Sequence, residues 1–263
     1  MSARTPTPSV AELRAVAQPA AIFARNSGEH WAGKLYMRKV SPYATRLALR
    51  TRLTPNSVTW LMMVVGLLAA GVLSLPGLAA AAGALLLIQL QLLLDCVDGE
   101  MARWLDKRSP TGVYLDQLAH HLTETALPIA LGIRADGGWD SIDSTWTACG
   151  LVVAVIQLLV KAETSLVHVA RSQSKMTPVE DRLAVAEPRA GALRRLRLIA
   201  GHLPFYRAYV AVEASILAFG AAIADELLGN HDGSRVLLLV LIATGLITFV
   251  GHLASILTSQ RLK

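Results

Sequence analysis

The chain has 263 residues, 53% of them hydrophobic and 17% charged, with a mean hydropathy of +0.46. That is too apolar for an ordinary soluble domain, and it excludes disordered, fibrous and disulfide-stapled classes. Aromatics make up only 5%, so the apolar mass is Leu, Ala, Val and Ile, which suits lipid-facing helices and not a barrel with aromatic girdles. The 25 Lys and Arg against 19 Asp and Glu give a net +6. In a membrane protein that excess points to anionic lipid headgroups, not to nucleic acid.

Residues 1–20, rich in Pro, Ala, Ser and Thr, read as a flexible lead-in. Charge interrupts the first 52 residues throughout, so no cleaved signal peptide is expected. Ser41-Pro42 can cap and start a helix through Arg52, with Tyr43, Ala44 and Leu47 on one side and Arg46 and Arg50 on the other. This reads as an N-terminal interfacial helix on the cytoplasmic leaflet. No charged residue falls between Arg52 and Asp95, about twice the roughly 20 residues that cross a bilayer. Pro76-Gly77 near the middle makes this a hairpin of two spans, 57–75 and 79–98. A third span, 112–133, carries Asp116, His120, His121 and Glu124, and a fourth, 146–169, is uncharged until Lys161. The fifth, 204–224, contains Arg207 and Glu213, and the sixth covers 236–259. The expected fold is all-α: a polytopic integral membrane protein of six transmembrane helices. Residues 1–52 form its cytoplasmic N-terminal segment and 53–263 one membrane domain.

Of the 25 Lys and Arg, all but Arg134 and Arg235 lie in the N-terminal segment, the 2–3 loop, the long 4–5 segment or the C-terminus. Positive charge stays inside, so both termini and these loops are expected to be cytoplasmic. Cys96 and Cys149 then lie at opposite ends of their spans, too far apart to pair.

At the end of span 2 and the start of span 3 the sequence gathers Asp95, Asp98, Gly99, Ala102 and Arg103, then Gly112, Asp116 and His120. On helices, Asp95 and Asp98 share a side, and Gly112, Asp116, His120 and Glu124 form a stripe at four-residue spacing. Antiparallel spans can turn these stripes towards each other. Carboxylates at this depth are costly unless a cation sits among them, and oxygen donors suit a hard divalent ion such as Mg²⁺ or Mn²⁺. Gly99, Ala102 and Gly112 leave room for a ligand against the backbone, and the planar fork of Arg103 suits phosphate oxygens. Together these residues describe a diphosphate site. The plainer alternative is that the acids merely pair with Arg103, Lys107 and Arg108 at a wet helix end.

The pattern D-x2-D-G-x2-A-R-x8-G-x3-D-x3-D, matched from Asp95 to Asp116 with every spacer intact, resembles the signature of the CDP-alcohol phosphotransferases. Its last position departs, being His120 and not Asp. Leu53-Thr-Pro-Asn56 at the head of span 1 is also similar to that family. The resemblance implies a homodimer and two divalent metals per subunit. It also implies transfer of a substituted phosphoryl group from a CDP-linked donor, CDP-diacylglycerol or a CDP-headgroup, to an acceptor alcohol, with release of CMP. Phospholipid synthesis is the use it suggests. Carried over by position, Asp95, Asp98 and Asp116 would hold metal, with Asn56, Gly99, Ala102, Arg103 and Gly112 lining the donor slot.

The motif's final acid is thought to complete the second metal's shell and to take the proton of the attacking hydroxyl. His120 can act as that base, since an unperturbed imidazole titrates near pH 6.5, but it is a poorer ligand for Mg²⁺. Glu124, one turn further on, could orient the ring or supply the missing acid. Lys161, with Arg189, Arg194, Arg195 and Arg197, could bind an acceptor phosphate or simply meet anionic headgroups. Ala192–Leu203 could form a short interfacial helix, and His121 reads as a packing residue. Two other classes remain: a divalent-cation transporter, for which the Gly, Ala and Arg positions would have no use, and a catalytically inactive scaffold, suggested by the lost acid.

Overall fold

The computed structural model describes residues 8–19, 31–177, 205–259 and 262. These residues are helical, with no strand among them. In chain order the helices are α1 (Val10–Ala17), α2 (Arg38–Ala48, entered through a π-helical turn at Gly33–Met37), α3 (Pro55–Leu73) and α4 (Leu78–Trp104). They continue with α5 (Pro110–Ala135), α6 (Thr145–Gln173), α7 (Ala211–Leu228) and α8 (Asp232–Thr258), and short 3-10 turns occupy Trp139–Ser141 and Phe205–Tyr209. Helices α3, α4, α6 and α8 are long and apolar enough to cross a membrane. Helices also occupy the third and fifth expected stretches. There α5 carries Asp116, His120, His121 and Glu124, and the 18 residues of α7 include Glu213, Asp225 and Glu226. The fifth helix starts later than the sequence suggests, because the chain is extended at Val210 and helical only from Ala211.

Two differences concern the N-terminal segment. Residues 10–17 form a helix where a flexible lead-in was expected. Its start is a complete capping box, in which Ser9 Oγ accepts from the Glu12 amide at 3.2 Å and the Glu12 carboxylate accepts from the Ser9 amide at 2.7 Å. In α2, Ser41 and Pro42 lie inside the helix and not at its start, because the Ser41 hydroxyl is turned inwards to a buried acid and is not available as a cap. The exposed side of this segment is apolar, with Leu35, Val40, Tyr43 and Leu47 all at least half exposed, while Ser41 and Thr45 are fully buried.

The helices make two compact units, 1–69 with 85–123 and 70–84 with 124–263. The first has a core of Leu13, Ala17, Leu49, Val58, Val97, Met101 and Trp104, which docks α1 onto α3 and α4. Within it Gln91 Nε2 donates to Thr123 Oγ1 at 2.8 Å, a buried polar pair that satisfies itself. In the second, α5 and α6 approach closely through glycines. A Cβ on Gly132 would lie 2.5 Å from the Trp146 carbonyl oxygen, and one on Gly150 would strike the Pro128 carbonyl. The same unit ties Arg134 to the Leu75 carbonyl at 2.7 Å and Trp139 Nε1 to Ser74 Oγ at 2.8 Å. Cys96 and Cys149 form no disulfide with each other.

Candidate active site

Helix α4 runs without a break through Asp95, Asp98, Gly99, Ala102 and Arg103 to Trp104. The chain then turns at Asp106, which takes the left-handed φ of 53° that a short polar side chain tolerates, and re-enters a helix at Pro110. Ser109 Oγ accepts from the Gly112 amide at 3.0 Å and satisfies one of the open donors of the first turn of α5. This tight turn sets α4 and α5 side by side in the first unit.

There His120 Nε2 stands 3.4 Å from Asp95 Oδ1 and 3.5 Å from Asp116 Oδ1. One donor atom from each of the three residues fits within a 4.8 Å cluster. All three side chains are about one-third exposed, so solvent and solutes reach them. Asp98 lies outside that cluster. It is buried and accepts from Thr59 Oγ1 at 2.6 Å, so α3 supplies it with a fixed neutral donor.

The motif glycines have specific neighbours. A Cβ on Gly99 would sit 3.0 Å from one terminal nitrogen of Arg103 and 3.3 Å from the other, so the guanidinium occupies the space the missing side chain leaves. A Cβ on Gly112 would sit 3.3 Å from Asn56 Oδ1, which puts Asn56 beside the head of α5. Arg103 Nε donates to the Ala17 carbonyl at 2.6 Å. Ala102, half-buried on the same turn, gives its carbonyl to the Lys107 amide at 2.9 Å.

Nothing in the sequence singles out Glu100. It is completely buried, and its carboxylate accepts from Ser41 Oγ (2.5 Å), Thr45 Oγ1 (2.6 Å) and Gln18 Nε2 (2.8 Å), with Arg38 at 3.4 Å. It occupies a variable position of the pattern, and its partners come from as far as 82 residues away, so no local signal marks it. In the second unit, Lys161 Nζ lies 2.5 Å from Glu124 Oε2, and Gln157 Nε2 donates to the same oxygen at 3.1 Å. The carboxylate of Glu124 is therefore engaged by an ammonium and an amide. His121 Nδ1 contacts the Gln117 carbonyl of its own helix. Arg189, Arg194, Arg195, Arg197 and the segment Ala192–Leu203 lie outside the described residues.

Two carboxylates and an imidazole within reach of one point form a donor set that fits a divalent cation. The nitrogen donor favours Mn²⁺ and similar ions over Mg²⁺ relative to an all-oxygen set. Apolar helices bearing such a partly exposed acid–histidine cluster at a tight interhelical turn define a helical membrane protein with a metal-type polar site. A family model described as CDP-alcohol phosphatidyltransferase matches residues 52–186, just over half of the chain and the whole of this cluster, and the chain belongs to that family. Membership implies transfer from a CDP-alcohol donor to an alcohol acceptor and, for the family generally, dependence on divalent metal. No individual curated protein matches the chain.

Proposed function

We propose that this protein transfers a substituted phosphoryl group from a CDP-linked donor to an acceptor alcohol in the service of phospholipid synthesis. The observation that carries the reading is the Asp95–Asp116–His120 cluster, which lies inside the segment that matches the family. The acceptor oxygen attacks the donor phosphorus distal to the cytidine. The bond from that phosphorus to the CMP oxygen breaks, and the hydroxyl proton passes to His120 Nε2. Asp95, Asp98 and Asp116 hold metal, and His120 is the general base and at most a weak ligand. Two Mg²⁺ or Mn²⁺ ions per subunit, when bound, would neutralise the diphosphate and stabilise the leaving CMP.

Arg103 grips a donor phosphate, and Asn56, Gly99, Ala102 and Gly112 line the slot. Lys161 serves the acceptor side. A phosphoryl group in flight needs alignment more than covalent help, and these residues provide it from rigid helices. In this reading residues 53–263 make one membrane domain of six spans, with α5 and α7 crossing despite their acids, of which Glu124 and Asp225 are buried on polar partners. The apolar outer side of α2 rests in the cytoplasmic interface. Both termini and the site face the cytoplasm, and two copies associate as a homodimer.

The test is CMP release by detergent-purified protein supplied with Mg²⁺ or Mn²⁺, with CDP-diacylglycerol or CDP-headgroups, and with a panel of alcohols. Acceptor-dependent CMP release that chelation stops is the expected result. Metal uptake into vesicles without CMP release would instead mark a transporter, and neither activity would mark a scaffold.

A further inference from the structure

Two contacts of α4, one turn apart, close on two consecutive residues at the end of α1. Arg103 Nε donates to the Ala17 carbonyl at 2.6 Å, and Glu100 accepts from Gln18 Nε2 at 2.8 Å. The carbonyls at a helix C-terminus have no partner within the helix and carry the negative end of its dipole, so a guanidinium is a fitting cap for α1. Gln18 is the residue that ends α1, and its amide also donates to the Arg38 carbonyl at 2.9 Å. Glu100, with no exposed surface and four donors around it, is the fixed point to which α1, α2 and α4 are all fastened. Leu13 and Ala17 pack on Met101 and Trp104 of the same turn of α4. The motif arginine is thus held from behind by a helix that precedes the membrane domain.

We propose that this clasp is part of the donor site. Gln18 and Glu100 act as positioning residues that fix the Ala17 carbonyl and, through it, the Arg103 guanidinium. With Nε committed to Ala17 and the terminal nitrogens lying against Gly99, the guanidinium is held in place before a nucleoside-diphosphate-linked donor arrives. A side chain with several rotatable bonds loses affinity when it must be ordered on binding, and prior ordering removes that cost. The proposal rests on the reading of Arg103 as a donor-phosphate ligand.

It is tested with Gln18→Ala and Glu100→Gln in the full-length protein, by donor KM, acceptor KM, kcat, CMP binding by calorimetry, and Mn²⁺ binding. Gln18 is partly exposed, so its variant reads the clasp even where the buried Glu100 variant folds poorly. The expected result for Gln18→Ala is a donor KM and a CMP Kd both raised about tenfold, the loss of roughly one charge-assisted contact's worth of ordering. Acceptor KM, kcat and Mn²⁺ binding should stay within about twofold. Unchanged donor KM and CMP Kd would overturn the proposal. So would a uniform fall in kcat, both affinities and Mn²⁺ binding, which would make the clasp a structural brace only. Should the wild-type protein release no CMP with any donor, the transfer reading fails on its own. CMP binding then still decides the clasp, weakened in Gln18→Ala if it orders Arg103 and equal to wild type if it does not.

Discussion

Two groups of acids in this protein are treated in opposite ways. In the second unit, Asp225 is buried, accepts from the Ser234 amide at 3.0 Å and hydroxyl at 2.6 Å, and has Arg134 at 4.0 Å. Its lone pairs are met by groups that cannot leave, at the start of α8, where negative charge also favours the helix dipole. In the first unit, Asp95 and Asp116 are about one-third exposed and share one imidazole at 3.4–3.5 Å, with oxygens to spare. A satisfied acid holds a structure together. An acid left with open lone pairs, close to others of its kind, is available to a ligand.

The sharpest way to break the contrast is to neutralise one acid from each group. On the proposed reading, Asp95→Asn or Asp116→Asn should lower CMP release by about a thousandfold or more while leaving thermal stability in detergent nearly unchanged, since a lost metal ligand would undo most of the electrostatic stabilisation. Asp225→Ala should do the reverse. It leaves the buried Arg134 without its nearest carboxylate, at a cost of about 3 kcal/mol, while turnover per folded molecule persists. Near-wild-type turnover in both Asn variants would remove these acids from the site.

A smaller effect is expected at His120, where the chain departs from its family's pattern. His120→Ala should cost about a hundredfold in kcat, the usual worth of a general base. His120→Asp should retain activity and move the metal preference from Mn²⁺ towards Mg²⁺, because an oxygen donor replaces nitrogen. In wild type, Mn²⁺ should support turnover at least as well as Mg²⁺. Full activity in His120→Ala would assign the proton to another group.

What could be read from the sequence follows from how local each signal is. The apolar stretches, the tight turn between α4 and α5 and the four-residue stripe of Asp116 and His120 are set by neighbours in the chain, so spacing alone indicates them. Helix α1 was equally local. Its Ser9-x-x-Glu12 capping signature stands in the sequence, inside a stretch whose Pro-, Ala-, Ser- and Thr-rich composition by itself suggests flexibility. Glu100 is different in kind. A Glu one residue past Gly99 carries no mark of being buried, and its partners Gln18, Arg38, Ser41 and Thr45 meet it only once α1 and α2 have folded onto α4. Ser41 shows the same limit from the other side: the serine before Pro42 looks like a helix start, and tertiary demand for a donor at Glu100 takes it into the helix interior.

The smallest expected effect concerns Asp136, a satisfied acid in the loop between α5 and α6. Its carboxylate accepts from the Trp146 amide (3.0 Å), the Thr147 amide (3.1 Å) and the Thr147 hydroxyl (2.6 Å), which closes the first turn of α6. Burial alone would push this carboxyl up. The Thr147 hydroxyl, Asp143 and the two backbone amides outweigh it, so the group ionises below the usual aspartate range. A carboxyl depressed by folding contributes stability that is complete above its unfolded value, about 3.9, and is lost as pH falls through the lower folded value. Asp136→Asn should therefore lower the thermal midpoint at neutral pH by an amount equivalent to about 1 kcal/mol, the usual worth of a cap. It should also flatten the decline of stability between pH 4 and more acid conditions. The measurement is a set of melting curves in detergent from about pH 7 to pH 3, within the range where a carboxyl titrates. Parallel acid profiles for the two proteins would show that Asp136 does not stabilise α6 through its charge. A loss of CMP release at neutral pH out of proportion to stability would draw this loop into the chemistry and erase the distinction between the two kinds of acid.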